Sequence, residues 1–293
     1  MISIIICFYE RLEHLRCCLD SLRICSKDFD EVVITDDGSS EATVSMLKRM
    51  IANYDFTIHY IWQPKKGFRA AAARNNGIRH ARGNYLIFFD CDFLPLPDII
   101  KQHLKAARPG RFVVGHCKYL TAEQSNRALS SNISRDFLEN LYQQLPEKQI
   151  IKDHYRFIKR TILFRLHLAS PTKQSLGGHF SIYRKDIEYV NGYDENFVGW
   201  GGEDEDLGIR LVSAGVYGRS AIRCARALHL CHPREIGDKR WREGPNIKYF
   251  KRKNIPIFCE NGLKKISAMW NNQQIIRYET YQSYLCRRNN SKI

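Results

Sequence analysis

Four consecutive carboxylates, Glu203-Asp204-Glu205-Asp206, follow Gly199-Trp200-Gly201-Gly202 in this chain. Adjacent acids repel one another, and on a plain surface such a run is usually a solvated helix start, favoured by the positive end of the helix dipole. That explanation leaves the Trp and its three glycines unaccounted for. Glycine lets a backbone come close to a ligand, and a Trp offers a flat face on which a sugar ring can stack. A second acidic group, Asp90-Cys91-Asp92, directly follows the apolar run Tyr85-Leu86-Ile87-Phe88-Phe89. Carboxylates at a strand end can hold a hard divalent cation that bridges a diphosphate, and such a cation stabilises charge on a departing group. Neither a P-loop nor a G-x-G-x-x-G phosphate cradle is present. The phosphate work then falls to a metal at Asp90-Cys91-Asp92, helped by Arg69 or Arg74, and the run Glu203 to Asp206 is left for proton removal.

The elements that must position these groups are legible in the first 95 residues. Ile2 to Phe8 and Glu31 to Thr35 are β-branched runs that predict buried parallel strands. Phe56 to Trp62 and Tyr85 to Phe89 predict two more. Between them, Leu12, Leu15, Leu19 and Leu22 repeat at helical spacing, as do Val44, Leu47, Met50 and Ile51, and an alanine-rich helix is expected over Arg69 to Ala81. This alternation predicts an α/β protein with a mostly parallel, Rossmann-like central sheet and helices on both faces. Ligands of such sheets gather at the carboxyl ends of the strands, where Asp36-Asp37 and Asp90-Cys91-Asp92 fall. Farther on, one strand is expected over Arg111 to Leu120, amphipathic helix over Thr121 to Leu168 with a break near Pro146, and a short strand over His179 to Tyr183. A helix is expected over Glu205 to Ala214, then a last strand over Ala225 to Cys231 that presents His229 and His232.

Composition narrows the class. A chain of 293 residues can bury a substantial core, and one α/β domain with an elaborated end is the natural organisation. The expected division is 1–95 and 96–235 as two halves of one domain, and a basic extension over 236–293. No segment reaches the ~18 uncharged apolar residues that would cross a bilayer. The apolar start runs into Glu10-Arg11, which does not fit a secretory signal. Ten scattered cysteines without a C-x-x-C pair read as reduced core residues, so a cytoplasmic protein is expected. The net charge of +15 is concentrated in residues 239–293, where 13 Lys or Arg meet 3 Glu. Lys239, Arg240, Arg242, Lys248, Lys251, Arg252 and Lys253 cluster beside Trp241, Tyr249 and Phe250. That mix fits an anionic membrane surface, and it equally fits a solvated tail. The absence of zinc-finger or RNA-binding signatures argues against nucleic acid.

Taken together, the segments resemble a known family. Ile2 to Ile6 with Phe8-Tyr9-Glu10-Arg11, Val32 to Ser39, Arg74-Asn75-Asn76-Gly77-Ile78 and Asp90-Cys91-Asp92 resemble family 2 glycosyltransferases of the GT-A fold. Gly177-Gly178, Asn191-Gly192-Tyr193, Gly199 to Asp204 and His229-Leu230-Cys231-His232 resemble the carboxyl-terminal module of β-1,4-galactosyltransferases and of bacterial chondroitin-polymerase-like enzymes. The resemblance covers residues 1–235. It implies an inverting transferase that moves a hexose or N-acetylhexosamine from a UDP-sugar to a hydroxyl of a glycan or lipid-linked glycan. Bacterial surface polysaccharide made at the inner face of the membrane is the implied setting. Phe8, Tyr9 and Glu10 would line the base and Asp36 would read the uracil. Arg74 and Arg69 would lie near the diphosphate, and Asp90 near the ribose or metal, with Cys91 between the acids carrying no separate role. Asp92 and His232 would hold Mn²⁺ or Mg²⁺; His229 stands where the galactosyltransferases have a Met, which leaves its ligation open. Trp200, Gly201, Gly202 and Glu203 would hold the acceptor. Asp204 would be the general base, with Glu203 its competitor. A non-catalytic sugar-binding or scaffold protein on such a fold is the alternative, and it would be expected to have lost a metal ligand or the base.

Overall fold

Because its β-branched runs alternate with amphipathic helices, the chain builds a sheet buried on both faces. The computed structural model describes residues 1–170, 176, 178–233, 241–265 and 276–279. The chain begins with β1 (Ile2–Phe8), α1 (Leu12–Arg23), β2 (Glu31–Asp36), α2 (Glu41–Ile51), β3 (Ile58–Trp62), α3 (Ala70–His80) and β4 (Tyr85–Asp90). It continues through β5 (Phe93–Pro95), α4 (Ile99–Ala106), β6 (Arg111–Val114), β7 (His116–Tyr119), α5 (Ala122–Ser130), α6 (Arg135–Gln143) and α7 (Lys148–Arg165). Then follow β8 (Phe180–Tyr183), α8 (Arg184–Tyr189), α9 (Glu203–Ser213), β9 (Tyr217–Ser220), β10 (Arg226–His229), α10 (Ile247–Phe250) and β11 (Ile276–Glu279).

The main sheet has the order β11-β3-β2-β1-β4-β8-β6-β9. The run β3-β2-β1-β4 is parallel throughout, and β8 is antiparallel to both of its neighbours. Strand alternation divides the core. Ile4, Ile6 and Phe8 pack with Leu15 and Leu19 of α1 and Leu47 of α2, whereas Ile5 packs with Ala71 and Ile78 of α3 and Leu207 and Leu211 of α9. Burying each of these leucines fully stabilises the fold by roughly 1.5–3 kcal/mol. A smaller sheet, β5-β10-β7, carries its own apolar layer of Leu94, Leu228 and Leu230 against α6.

Several expectations require correction. Residues 111–120 are two strands in two sheets. The chain turns at Gly115, where a Cβ would stand 1.9 Å from the His179 ring, so only glycine permits the corner. The stretch 121–168 is three helices, because the Thr121 capping box and the Ser134 cap each start a new one. Helix α9 starts at Glu203, two residues before the expected Glu205, since Gly202 at φ 98° supplies the turn that opens it. The strand β10 is not the last, because β11 in the basic extension pairs antiparallel with β3. Within that extension Lys239 and Arg240 lie outside the described residues. Lys248, Lys251 and Lys253 are exposed, but Tyr249 and Arg252 turn inward to Asp194. Gly177 also lies outside the described residues. No helix among the described residues is long and apolar enough to cross a membrane.

Candidate active site

The register of the parallel strands brings three polar segments to one edge. Phe8 pairs with Asp36 and Cys7 with Asp90, so β1, β2 and β4 end level. Beyond them opens a cavity of about 1150 Å³ lined by Phe8, Tyr9, Asp37, Arg74, Asp90, Cys91, Asp92, Trp200, Glu203, Asp204, His229 and His232, among others. Residues far apart in sequence thus share one wall.

The carboxylate and the two imidazoles meet through the small sheet. Immediately after Asp92, β5 pairs antiparallel with β10, which sets His229 opposite Phe93. The Leu230 N–H donates to the Asp92 carbonyl at 2.9 Å. One ligand atom each from Asp92, His229 and His232 then lies within 4.8 Å of the others. His232 Nε2 is 2.9 Å from Asp92 Oδ2, and His229 Nε2 is 3.6 Å from Oδ1. His232 Nδ1 faces the Pro233 carbonyl at 2.8 Å and so carries the proton of the neutral ring. Its Nε2 lone pair then points at a carboxylate, an arrangement that needs a proton or a cation between them. Burial pushes the Asp92 carboxyl up, but the His232 hydrogen bond and the charges of His229, His232 and Arg11 outweigh it and hold it below the usual range. Asp92 Oδ1 and His229 Nδ1 are buried without a hydrogen-bond partner among the described residues. A carboxylate with two imidazoles is a donor set that a borderline divalent ion accepts, so these residues fit the metal that the resemblance implies.

The opposite wall is built on α9. Gly199, Gly201 and Gly202 all have φ above 90°, a region that a side chain would strain, and they carry Trp200 to the cavity. A Cβ on Gly199 would also meet Pro245 at 2.7 Å. Asn246 Nδ2 donates to the carbonyls of Gly199 and Gly201 at 2.9 Å each and fixes the loop from outside. At the start of α9, Arg74 donates to Glu203 at 3.2 Å and to Asp90 at 2.9 Å, and stands 3.8 Å from Asp204. The Glu203 side chain is 8% exposed and the Asp204 side chain 40%. Burial first, and then the Asp204 charge, push the Glu203 carboxyl up to about 7 against the pull of Arg74. Asp204 accepts from the Tyr193 hydroxyl at 3.2 Å.

Not every residue expected here reaches the cavity. Asp36 is buried, with Oδ1 accepting from Ser39 and Oδ2 from Tyr60 at 2.6 Å; its neighbour Asp37 lines the cavity instead. Glu10 caps α2 by accepting from Ser40 and Thr43. The Arg69 side chain is turned to the Pro64 carbonyl, while its backbone N–H donates to Asp37 at 2.7 Å. The sequence reading gave no role to Arg11, 3.2 Å from Asp92, or to Tyr193. Both sit inside the segments that carry the resemblance, and that was the only signal available for them.

A GT-A glycosyltransferase fold is what this sheet and cleft define. The sequence profile of "Glycosyl transferase family 2" matches residues 3–188, and that of "N-terminal domain of galactosyltransferase" matches residues 160–233. The chain belongs to glycosyltransferase family 2. It is 27% identical over 279 residues to chondroitin synthase of Escherichia coli, covering 91% of this chain and 40% of that protein. It is 30% identical over 228 residues to validoxylamine A glucosyltransferase of Streptomyces hygroscopicus, covering 74% and 52%. The chain thus spans about half or less of the length of these relatives. Among solved structures, the catalytic domain of Drosophila β1,4-galactosyltransferase 7, in complex with xylobiose, superposes with a TM-score of 0.50 at 13% identity, covering 95% of this chain and 93% of that one. A Pyrobaculum calidifontis mannosyltransferase in complex with GDP-Man and Mn²⁺ gives 0.53 at 17% identity, covering 80% and 58%.

Proposed function

We propose that the protein is an inverting, metal-dependent glycosyltransferase that moves a hexose or N-acetylhexosamine from a UDP-sugar to a glycan hydroxyl. One observation carries this reading: the Asp92–His229–His232 cluster and the exposed carboxylate of Asp204 line the same cavity. Asp92, His229 and His232 would hold Mn²⁺ or Mg²⁺. When bound, that ion supplies Lewis acidity toward a departing diphosphate. Phe8 and Tyr9 offer the base an apolar wall, and Asp37 a hydrogen-bond acceptor. Trp200 gives the acceptor sugar a stacking face. Asp204 takes the proton of the attacking hydroxyl, and Arg74 holds Glu203 and Asp90 by hydrogen bonds with Asp204 3.8 Å away. A single displacement with one base inverts the anomeric carbon and needs no enzyme nucleophile.

Similarity to chondroitin synthase, and to the hyaluronan synthase of Pasteurella multocida at 27% identity, supports a role in polysaccharide synthesis. A lipid-linked or growing bacterial surface glycan at the cytoplasmic face of the membrane is the acceptor we infer. The test is a panel of UDP-sugars assayed for UDP release with Mn²⁺ and with EDTA. Release from at least one donor, abolished by EDTA, is expected. Silence across the panel, or equal release in EDTA, overturns the reading.

A further inference from the structure

Helix α7 carries two apolar faces where a surface helix of a globular protein needs one. The first is spent inside: Ile150 and Phe164 are buried, and His154 Nδ1 meets Ser220 Oγ at 2.8 Å. The second is open among the described residues. Ile151, Tyr155, Ile158 and Ile162 are 37% to 60% exposed, and Leu166 and Leu168, just past the helix, are 60% and 70% exposed. From Ile151 to Leu166 these positions recur at intervals of four, three, four and four, which places them in one stripe roughly 80° wide. The same period puts Lys148, Lys152 and Lys159 on the adjoining face, all exposed. Residues 148–168 hold six Lys or Arg and one acid, Asp153, which is paired with Arg156 and His116.

We propose that α7 lies on an anionic lipid surface, with the aliphatic stripe at the headgroup boundary and the lysines at the lipid phosphates. An open aliphatic stripe edged with lysines is the pattern of a helix lying in a membrane interface. Lysine stems also add apolar cover there while their charges stay in water. A second copy of the chain is a poorer occupant, because a two-fold interface would set these basic edges against each other. Docking at a lipid surface would also raise the local concentration of a lipid-linked acceptor. The benefit to a lipid-linked acceptor rests on the function proposed above; the docking itself does not.

Co-sedimentation of the full chain with phosphatidylglycerol–phosphatidylcholine vesicles, against pure phosphatidylcholine, tests the inference. Wild type is expected to bind the first and not the second, and to release as salt rises. Ile158→Ser/Ile162→Ser should lower binding at least about 10-fold. Lys152→Gln/Lys159→Gln should lower it by about 5-fold per charge removed. Both variants should keep wild-type far-UV circular dichroism and UDP release with soluble substrates. Lys248→Gln/Lys253→Gln, exposed in the basic extension, should bind like wild type. The proposal is overturned if the α7 variants bind normally, if only the extension variant fails, or if light scattering shows a dimer that Ile158→Ser/Ile162→Ser dissolves.

Discussion

Arg252 belongs to the basic extension, yet its guanidinium is committed to Asp194 and Asp206. Its Nη2 donates to Asp206 Oδ1 at 2.7 Å and to Asp194 Oδ2 at 3.4 Å, and it packs 4.2 Å over the Tyr249 ring. Asp206 is fully buried on α9 and has, among the described residues, one other cation, Arg210 at 2.7 Å. Asp194 is 2% exposed, and burial, reinforced by the nearby Asp206 charge, pushes its carboxyl up. Removing one partner from a buried pair costs about 3–5 kcal/mol. Arg210 remains and Arg252 itself is partly exposed, so Arg252→Ala should lose about 3 kcal/mol, a fall in Tm of about 6–12 °C. Were Arg252 an ordinary surface charge, the loss would be within about 0.5 kcal/mol. Scanning calorimetry at neutral pH separates these outcomes. Adding Asp194→Asn to Arg252→Ala should recover part of the loss, because one of the two crowded carboxylates is then neutral. A Tm within about 2 °C of wild type for Arg252→Ala would refute the reasoning.

Three further outcomes are expected. Asp204→Asn keeps its shape but cannot accept a proton, so UDP release should fall by about 10²-fold or more with near-normal UDP binding by calorimetry; full activity there, with Glu203→Gln dead, exchanges the two roles. The native state holds a proton on Glu203 up to about pH 7, whereas the unfolded chain releases it near 4.5, so its contribution to stability is complete below 4.5 and lost as pH rises through 7. The Tm of Glu203→Gln minus that of wild type should therefore grow between about pH 5 and pH 8, and a constant difference contradicts the assignment. Mn²⁺ at 100 times its Kd should stabilise wild type by about 2.7 kcal/mol, and the Tm rise should vanish in Asp92→Ala and in His232→Ala; a rise that survives both places the ion elsewhere.

What was legible in the sequence followed the length of each signal. The strands β1, β2 and β4 were readable because they are short runs rich in β-branched residues (β1, β2) or aromatic residues (β4), spaced by helical patterns. The meeting of Asp92 with His229 depends on β5, a three-residue strand too short to show any period, so only resemblance could pair them. Asp36 and Asp37 are adjacent at a strand end, and pattern alone cannot decide which carboxylate faces the cavity and which is spent on Ser39 and Tyr60. The inward turn of Arg252 was hidden for a related reason. Charge runs read as solvated faces, and the buried carboxylates that attract this arginine lie about 50 residues upstream.

The acidic run explains itself once the helical period is applied to it. At about 100° per residue, four consecutive side chains on α9 leave in four directions. Glu203 goes to Arg74, Glu205 to Arg242 at 3.5 Å, and Asp206 to Arg210 and Arg252. Each of these three has a cation within 3.5 Å, and the mutual repulsion of the run is met by partners from separate parts of the chain. Asp204 is the exception. Its nearest partner is the neutral Tyr193 hydroxyl, Arg74 stands off at 3.8 Å, and it is the most exposed of the four side chains. A carboxylate kept beside a cation, but not closed by it, retains a lone pair to offer to a hydroxyl entering the cavity. That geometry, rather than the count of acids, is why we propose Asp204 as the base.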